Sequence, residues 1–313
     1  MRELTIGPND CGQRLDKFLS KALPALPQSL LYKSIRTKRI KVNGKRTAPD
    51  YHLCEGETVT LYLNDEFFAQ TDETPAYLSA GNCLDIVYED ENILLVNKPA
   101  GLVVHSDDRG SADTLIGRVC KYLIKTGAYI PDKENSFTPS LCHRIDRNTA
   151  GLVLCAKNAP SLRVLDEKIR SREIEKSYRC LVLGVPTPAY AVCKSFMRKD
   201  EKQKIMRVYD APVPGGLTAI TEYTVLERRQ NGRLSLPEVN LHTGRTHQIR
   251  AQMAHLGHPL AGDLKYGTAR QNQGLPYRYQ ALCAYRIGFH FTTEAGHLEY
   301  LSGKSFQLPE IPF

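Results

Sequence analysis

No run of apolar residues in this chain approaches the roughly 20 that a bilayer crossing requires. The start, Met1-Arg2-Glu3-Leu4-Thr5-Ile6, lacks the pattern of a secretory signal. No Cys-x-x-Cys pair occurs among the nine cysteines, which are scattered and odd in number. Several, such as Cys155 and Cys180, sit in apolar runs, where a thiol acts as a small hydrophobe. These absences set aside a membrane span, a disulfide framework and a zinc site, and the expectation is a reduced, cytoplasmic protein. Internal repeats and low-complexity tracts are also missing. What the chain has is 313 residues, enough for one large or two unequal domains. It also carries a net charge of +8, which favours an anionic partner such as nucleic acid, though the same excess aids solubility.

The central stretch is Leu141-Cys142-His143-Arg144-Ile145-Asp146-Arg147-Asn148-Thr149-Ala150-Gly151, followed by the apolar run Leu152-Val153-Leu154-Cys155-Ala156 and Lys157. The run is short and branched enough for a buried strand. Asp146 lies between Arg144 and Arg147, and Gly151 lets the chain turn into the strand. An acid on a loop at the mouth of a buried strand is a common catalytic placement. Taken alone, the stretch serves equally well as a surface salt-bridge cluster.

Before it come two modules of different character. Residues 13–23 place Leu15, Phe18, Leu19, Ala22 and Leu23 on one helical face, ended by Pro24 and Pro27. Ser29 is placed to cap a second helix running to about Thr37. Ile40 to Lys45 alternates and closes with Asn43-Gly44, a hairpin signal, and a further strand follows over 58–63. Up to residue 63 there are eleven Lys/Arg against six Asp/Glu, with Arg36, Lys38, Arg39 and Lys41 together at the second helix and first strand. Such a surface suits a phosphate backbone, or is merely solvated. Residues 64–82 hold Asp65, Glu66, Asp72 and Glu73 and no Lys or Arg, which predicts an acidic linker.

From Leu84 the pattern is strand, turn, strand, ending in Asn97-Lys98-Pro99-Ala100-Gly101, most simply a rigid loop, with positioning of the active-site loop or of a phosphate as the other role open to Lys98. Helices are predicted over 112–125, 159–172 and about 247–256. The second of these has a basic face of Arg163, Lys168, Arg170 and Arg172. Strands are predicted near 174–184, 218–227, 234–241, 285–291 and 298–301, with a charged hairpin over 194–204. Near the end stands Thr243-Gly244-Arg245-Thr246-His247-Gln248-Ile249-Arg250, whose arginines fall at a helix front, where anions are favoured.

The His143-to-Gly151 segment resembles the active-site motif of the RluA family of pseudouridine synthases. Glu175-Lys176-Ser177-Tyr178, the Asn97-to-Gly101 run and the Thr243-to-Arg250 phrase are similar to further motifs of that family, over about Leu84 to Phe313. The first module resembles an S4 domain. The resemblance implies an α+β fold: a small S4-like αα-β-hairpin domain over 1–63, the linker 64–82, and a catalytic domain over 83–313. That catalytic domain should hold a mixed, largely antiparallel sheet flanked by helices, with the active cleft across the sheet. It implies an RNA pseudouridine synthase without cofactor or metal. Asp146 would be the catalytic carboxylate, Arg250 its partner, and Tyr178 the residue stacked on the target base. Arg144 would fill the gap left by a flipped nucleotide. Arg147, Arg245 and His247 are candidate RNA contacts or loop braces, and Arg36, Lys38, Arg39 and Lys41 are candidate RNA contacts of the S4-like module. The S4-like module favours 23S rRNA over tRNA as substrate, and a monomer is expected. Gln252 departs from the family, where a histidine is usual.

Two other classes remain to be weighed. A non-catalytic RNA-binding or ribosome-assembly factor fits the basic balance equally well, but has no need of an acid facing RNA. A metal-dependent hydrolase would have to use His247, His255 and His258, whose spacing matches no common ligand set.

Overall fold

The computed structural model describes residues 1–68, 76–106 and 111–313. It begins with β1 (Arg2–Thr5), α1 (Leu15–Ala22), α2 (Gln28–Arg36), β2 (Ile40–Val42) and β3 (Thr58–Leu61). The strands form an antiparallel sheet in the order β1-β3-β2. The predicted apolar face of α1 is what fills the space above it: Leu15, Phe18 and Leu19 are fully buried against Leu31 and Ile35 of α2 and Val59 and Leu61 of β3. Pro27, rather than Ser29, occupies the N-cap of α2, and no side chain caps that helix. A proline there fixes the backbone at the helix entry but offers no side-chain acceptor to the first N–H groups. Arg36, Lys38 and Arg39 are exposed and Lys41 half-buried, its ammonium 5.3 Å above the Tyr62 ring.

The predicted linker is not uniform. Residues 69–75 of it lie outside the described residues. A 3-10 turn spans Asp65–Phe68, and α3 (Ala76–Ser79) ends it. Beyond α3 the chain is fastened to the next domain: Ala80 is buried, its carbonyl accepts from Lys121 Nζ at 2.7 Å, and Gly81 N donates to Asp113 at 3.0 Å. The first domain also touches the second. Asp10, 2% exposed, accepts from Asn135 Nδ2 at 2.7 Å and from Ser136 Oγ.

The larger part runs β4 (Ile86–Glu89), β5 (Ile93–Lys98), α4 (Leu115–Lys125), β6 (Ser140–Leu141), β7 (Ala150–Ala156), α5 (Ala159–Arg170), β8 (Ile174–Cys180) and β9 (Val182–Leu183). It continues through β10 (Tyr190–Asp200), β11 (Ile205–Tyr209), β12 (Leu217–Arg229), β13 (Leu234–Leu241), α6 (Gln248–His255), β14 (Leu282–Phe289) and β15 (Ser305–Gln307). Its sheet orders as β11-β10-β12-β13-β8-β14-β7-β5-β4. Every described neighbour pair is antiparallel except β14 with β7. The sheet is therefore two antiparallel blocks joined at one parallel seam.

Burial explains why β7 carries no polar alternation. Val153 and Cys155 face one core, with Leu115, Val119 and Leu123 of α4 and Ile249 and Met253 of α6. Leu152 and Leu154 face the other, with Leu165 of α5. A strand covered on both sides must be apolar on both. Thr114 caps α4 and Asn158 caps α5, each accepting a backbone N–H three residues on. Lys168 departs from the predicted basic face. It is 1% exposed, and its Nζ donates to Glu173 at 2.9 Å and to Thr293. The Leu298–Leu301 segment, predicted as a strand, is part of a 3-10 helix over Gly296–Leu301. Among the described residues no helix is long and apolar enough to cross a membrane.

Candidate active site

A cleft of about 820 Å³ opens where the Asp146 loop, β8 and the N-terminus of α6 meet. Asp146 stands in it, one quarter exposed, at the first position of a turn in which Thr149 N donates to the Asp146 carbonyl at 3.1 Å. Two things fix that turn. Gly151, the second residue of β7, has φ +114, a conformation open to glycine. Lys98, wholly buried, donates to three carbonyls: Pro99 O at 2.9 Å, Leu102 O at 2.8 Å and Arg147 O at 2.8 Å. Of the two roles open to Lys98 in sequence, it takes the positioning of the active-site loop, holding the residue next to Asp146. Burial pushes the Lys98 ammonium down to about 7, with the Asp146 charge pulling the other way.

Arg250 crosses from α6 and donates to Asp146 Oδ2 through Nη1 at 2.9 Å. The rest of its guanidinium is committed elsewhere. Nε and Nη2 fork onto Asp263 at 2.6 and 3.0 Å, and Asp263 is 1% exposed. A planar fork engaged on a buried carboxylate cannot swing. Nη1 therefore presents to Asp146 in one direction only. The paired carboxylates hold the Arg250 pKa above its ordinary value against the opposing effect of burial. Tyr178, 6% exposed, comes to the cleft from β8. Burial drives its phenol well above its usual pKa, and the Asp146 charge adds to this. Asp146, Tyr178 and Arg250, more than 100 residues apart at the extremes, are gathered at one site.

The other sequence candidates divide. Arg144 is exposed on the cleft wall, joined by Arg170, Arg172 and Lys176, which sequence reasoning did not place there. Arg245 lines it as well, with its Nε donating to Thr218 O at 2.9 Å. Its turn is closed by Gln248 Oε1, which accepts from Arg245 N at 2.9 Å and Thr243 Oγ1 at 2.8 Å. Arg147 is exposed outside the cleft lining and donates to Ser111 Oγ at 3.2 Å. His247 is turned inward: its Nδ1 lies 2.8 Å from Tyr266 Oη and its Nε2 3.8 Å from Asp146. The three histidines considered for a metal go to different partners, His255 to Asp210 and His258 to Leu183 O. Gln252 is 2% exposed and is engaged with the sheet, donating to Ser195 Oγ at 2.9 Å and accepting from Thr221.

Sequence reasoning missed Asp263 and Tyr266 as parts of the site. For Asp263 a signal existed. A buried guanidinium has five donors to satisfy, and Asp263 is the one acid in the stretch Leu256 to Lys265. Nothing in the sequence singled out Tyr266.

In the cleft wall, His143 Nε2 accepts from Leu154 N at 3.2 Å, so the ring proton is on Nδ1, an atom sealed from solvent. Burial holds the His143 pKa down to about 3, and the nearby Lys176 charge adds to this. An unfolded chain protonates this histidine near its ordinary value, before the folded one does. The stability it supports is then full above about pH 6.5 and falls as the pH drops toward 3, by about 1.4 kcal/mol per unit. Urea unfolding at pH 7.5, 6 and 5 should show this loss in the native protein and a shallower one in His143→Gln. Equal slopes would contradict the assignment.

A carboxylate aimed by a fixed guanidinium, beside a buried phenol and under a rim of arginines, defines a site for chemistry on a polyanion. Comparison with known proteins places it further. The model of the family described as RNA pseudouridylate synthase matches residues 92–255, and that of the S4 domain matches residues 13–59. An uncharacterized RNA pseudouridine synthase of Aquifex aeolicus is 34% identical, over 90% of this chain and 87% of its own length. The ribosomal large subunit pseudouridine synthase D of Yersinia pestis is 36% identical, over 84% of this chain and 75% of its own. Human RNA pseudouridylate synthase domain containing 1 shares the fold, with a TM-score of 0.57 at 20% identity, over 77% of this chain and 86% of its own. The chain belongs to the RNA pseudouridylate synthase family, with an S4 domain ahead of the catalytic one. It is an RNA-modifying isomerase.

Proposed function

We propose that this enzyme isomerises uridine in large-subunit rRNA, and that Asp146 is the carboxylate that acts on the target nucleotide. The reaction breaks the bond between ribose C1′ and uracil N1, rotates the base and rejoins it through C5. It is redox-neutral and needs no cofactor. Like glycoside cleavage, it calls for a carboxylate beside an electron-poor sugar carbon. The observation that carries the reading is the 2.9 Å Arg250–Asp146 pair within a basic cleft. The guanidinium aims the carboxylate into the cleft, where it can attack the sugar or remove a proton from it. Tyr178 offers the uracil a flat apolar face. Arg144 fills the gap left by the flipped nucleotide and Arg245 holds a flanking phosphate; flipping costs a few kcal/mol that stacking and phosphate contacts must offset.

The choice of rRNA is supported by the named activity of the Yersinia pestis relative, matched over three quarters of its length. Residues 1–63 would grip the RNA through Arg36, Lys38, Arg39 and Lys41, and residues 83–313 would carry the chemistry. The enzyme would then work as a monomer where its rRNA is made, in the cytoplasm. Pseudouridine mapping of total RNA from a deletion strain, complemented with native protein or Asp146→Asn, tests the reading. One or more uridines of large-subunit rRNA should be modified by the native protein and remain unmodified with the variant. Modification at the native level by Asp146→Asn would sink the catalytic assignment, and loss confined to tRNA would sink the rRNA one.

A further inference from the structure

His247 begins α6 with a left-handed backbone, φ +53, which places its ring against Tyr266 rather than in solvent. The Tyr266 hydroxyl already accepts from Met206 N–H at 3.0 Å. A hydroxyl has one proton to give, and His247 Nδ1 lies 2.8 Å away. Burial raises the Tyr266 pKa, so the phenol keeps that proton. With Tyr266 donating, Nδ1 is an acceptor, and the imidazole proton sits on Nε2. Burial lowers the His247 pKa and so favours the neutral ring. Asp146 opposes this most strongly, Arg250 and Lys265 reinforce it, and Asp263 opposes it more weakly.

Nε2 lies 3.8 Å from Asp146 Oδ2. That is too long for a hydrogen bond, and it leaves room for one oxygen in contact with both. Whatever lies there must accept from the N–H and donate to a carboxylate, which only accepts. Water does both, and among the groups of a nucleotide a hydroxyl does both. A carbonyl or ether oxygen cannot donate, and a ring N–H cannot accept. In a nucleotide whose C1′ faces Asp146, the adjacent hydroxyl is the ribose 2′-OH. We infer that His247 and Asp146 together bind the 2′-hydroxyl of the target nucleotide, and that Tyr266 is the positioning residue that fixes the His247 tautomer for this. The site would then test for ribose at the reacting residue itself, through the group by which proteins tell RNA from DNA. The inference rests on the reading of Asp146 as the carboxylate at the target nucleotide.

The test uses two synthetic RNAs spanning a mapped target, one with uridine and one with 2′-deoxyuridine at that position. Affinity and single-turnover rate are measured for the native protein, His247→Phe, His247→Gln and Tyr266→Phe. The native protein should prefer the ribose form by about tenfold, the weight of one well-placed hydrogen bond. His247→Phe should bring the ratio close to one, and Tyr266→Phe, which keeps the ring, should cut it several-fold. His247→Gln, with an amide N–H to offer, should recover part of it. Nitrogen-15 spectra of the histidine rings should show His247 as the Nε2–H tautomer, losing that uniformity in Tyr266→Phe. A tenfold ratio retained in both His247→Phe and Tyr266→Phe, no ratio in the native protein, or an Nδ1–H ring overturns the inference. If those results come with an inert Asp146→Asn, the carboxylate assignment survives; an active Asp146→Asn removes both.

Discussion

Replacing Asp263 with asparagine is expected to lower turnover about a hundredfold while RNA affinity changes little. The reasoning starts from the donors of Arg250. Two of its nitrogens fork onto Asp263 and a third meets Asp146 at 2.9 Å. An asparagine keeps one acceptor oxygen and replaces the other by a donor facing the guanidinium. The fork then opens, and Arg250 is free to rotate its stronger, two-pronged face onto Asp146. A carboxylate gripped in that way is less nucleophilic and displaced from the line to the sugar. Asp263 is buried, so the change also leaves an ion pair broken inside the protein, at a cost of about 3 kcal/mol. Single-turnover rates, equilibrium RNA binding and urea unfolding measure the three effects separately. A rate within twofold of native, with the stability loss present, would show that Asp263 braces the fold and not the orientation of Arg250.

The residues that chemistry needs were legible in the sequence because each stands in a dense local phrase, and the helices because their apolar positions repeat. Leu115, Val119 and Leu123 of α4 and Leu165 of α5 all face cores as their spacing requires. What escaped was decided by contacts made across the chain. Lys168 belongs to a basic helical face by spacing, yet it is drawn inside by Glu173, just past the helix end, and by Thr293. The 298–301 run was too short for its periodicity to separate a strand from a helical turn. For His247 the sequence leaves an RNA contact and a loop brace both open. Its inward turn depends on Tyr266, which comes 19 residues later and bears no mark in the sequence. Lys98 shows the converse. The backbone reading of its loop was sound, and the lysine is part of the same device, since its three carbonyl partners include the one following Asp146.

Gly151→Ala should be severely damaging, costing about 3–5 kcal/mol from backbone strain and overpacking together. A total stability of about 5–15 kcal/mol leaves little after such a loss. At φ +114, a Cβ on residue 151 would stand 2.6 Å from the Ala284 nitrogen and closer still to its oxygen. Both are main-chain atoms, so no side chain can move aside. The collision falls on the parallel seam. Ala284 of β14 is paired with Gly151 on one side and with Tyr178 of β8 on the other. Pushing the strands apart there shifts the Asp146 loop and Tyr178 in opposite directions. Activity should therefore fall by more than the folded fraction alone explains, which urea unfolding and single-turnover rates under strongly native conditions can separate. Ala284→Gly distinguishes the cause. If the clash were with the Ala284 methyl, the double variant would regain stability; a main-chain clash predicts that it gains none. Near-native stability in Gly151→Ala alone would mean that the seam can open without cost, and that the position of Asp146 is set by the Lys98 loop and Arg250 instead.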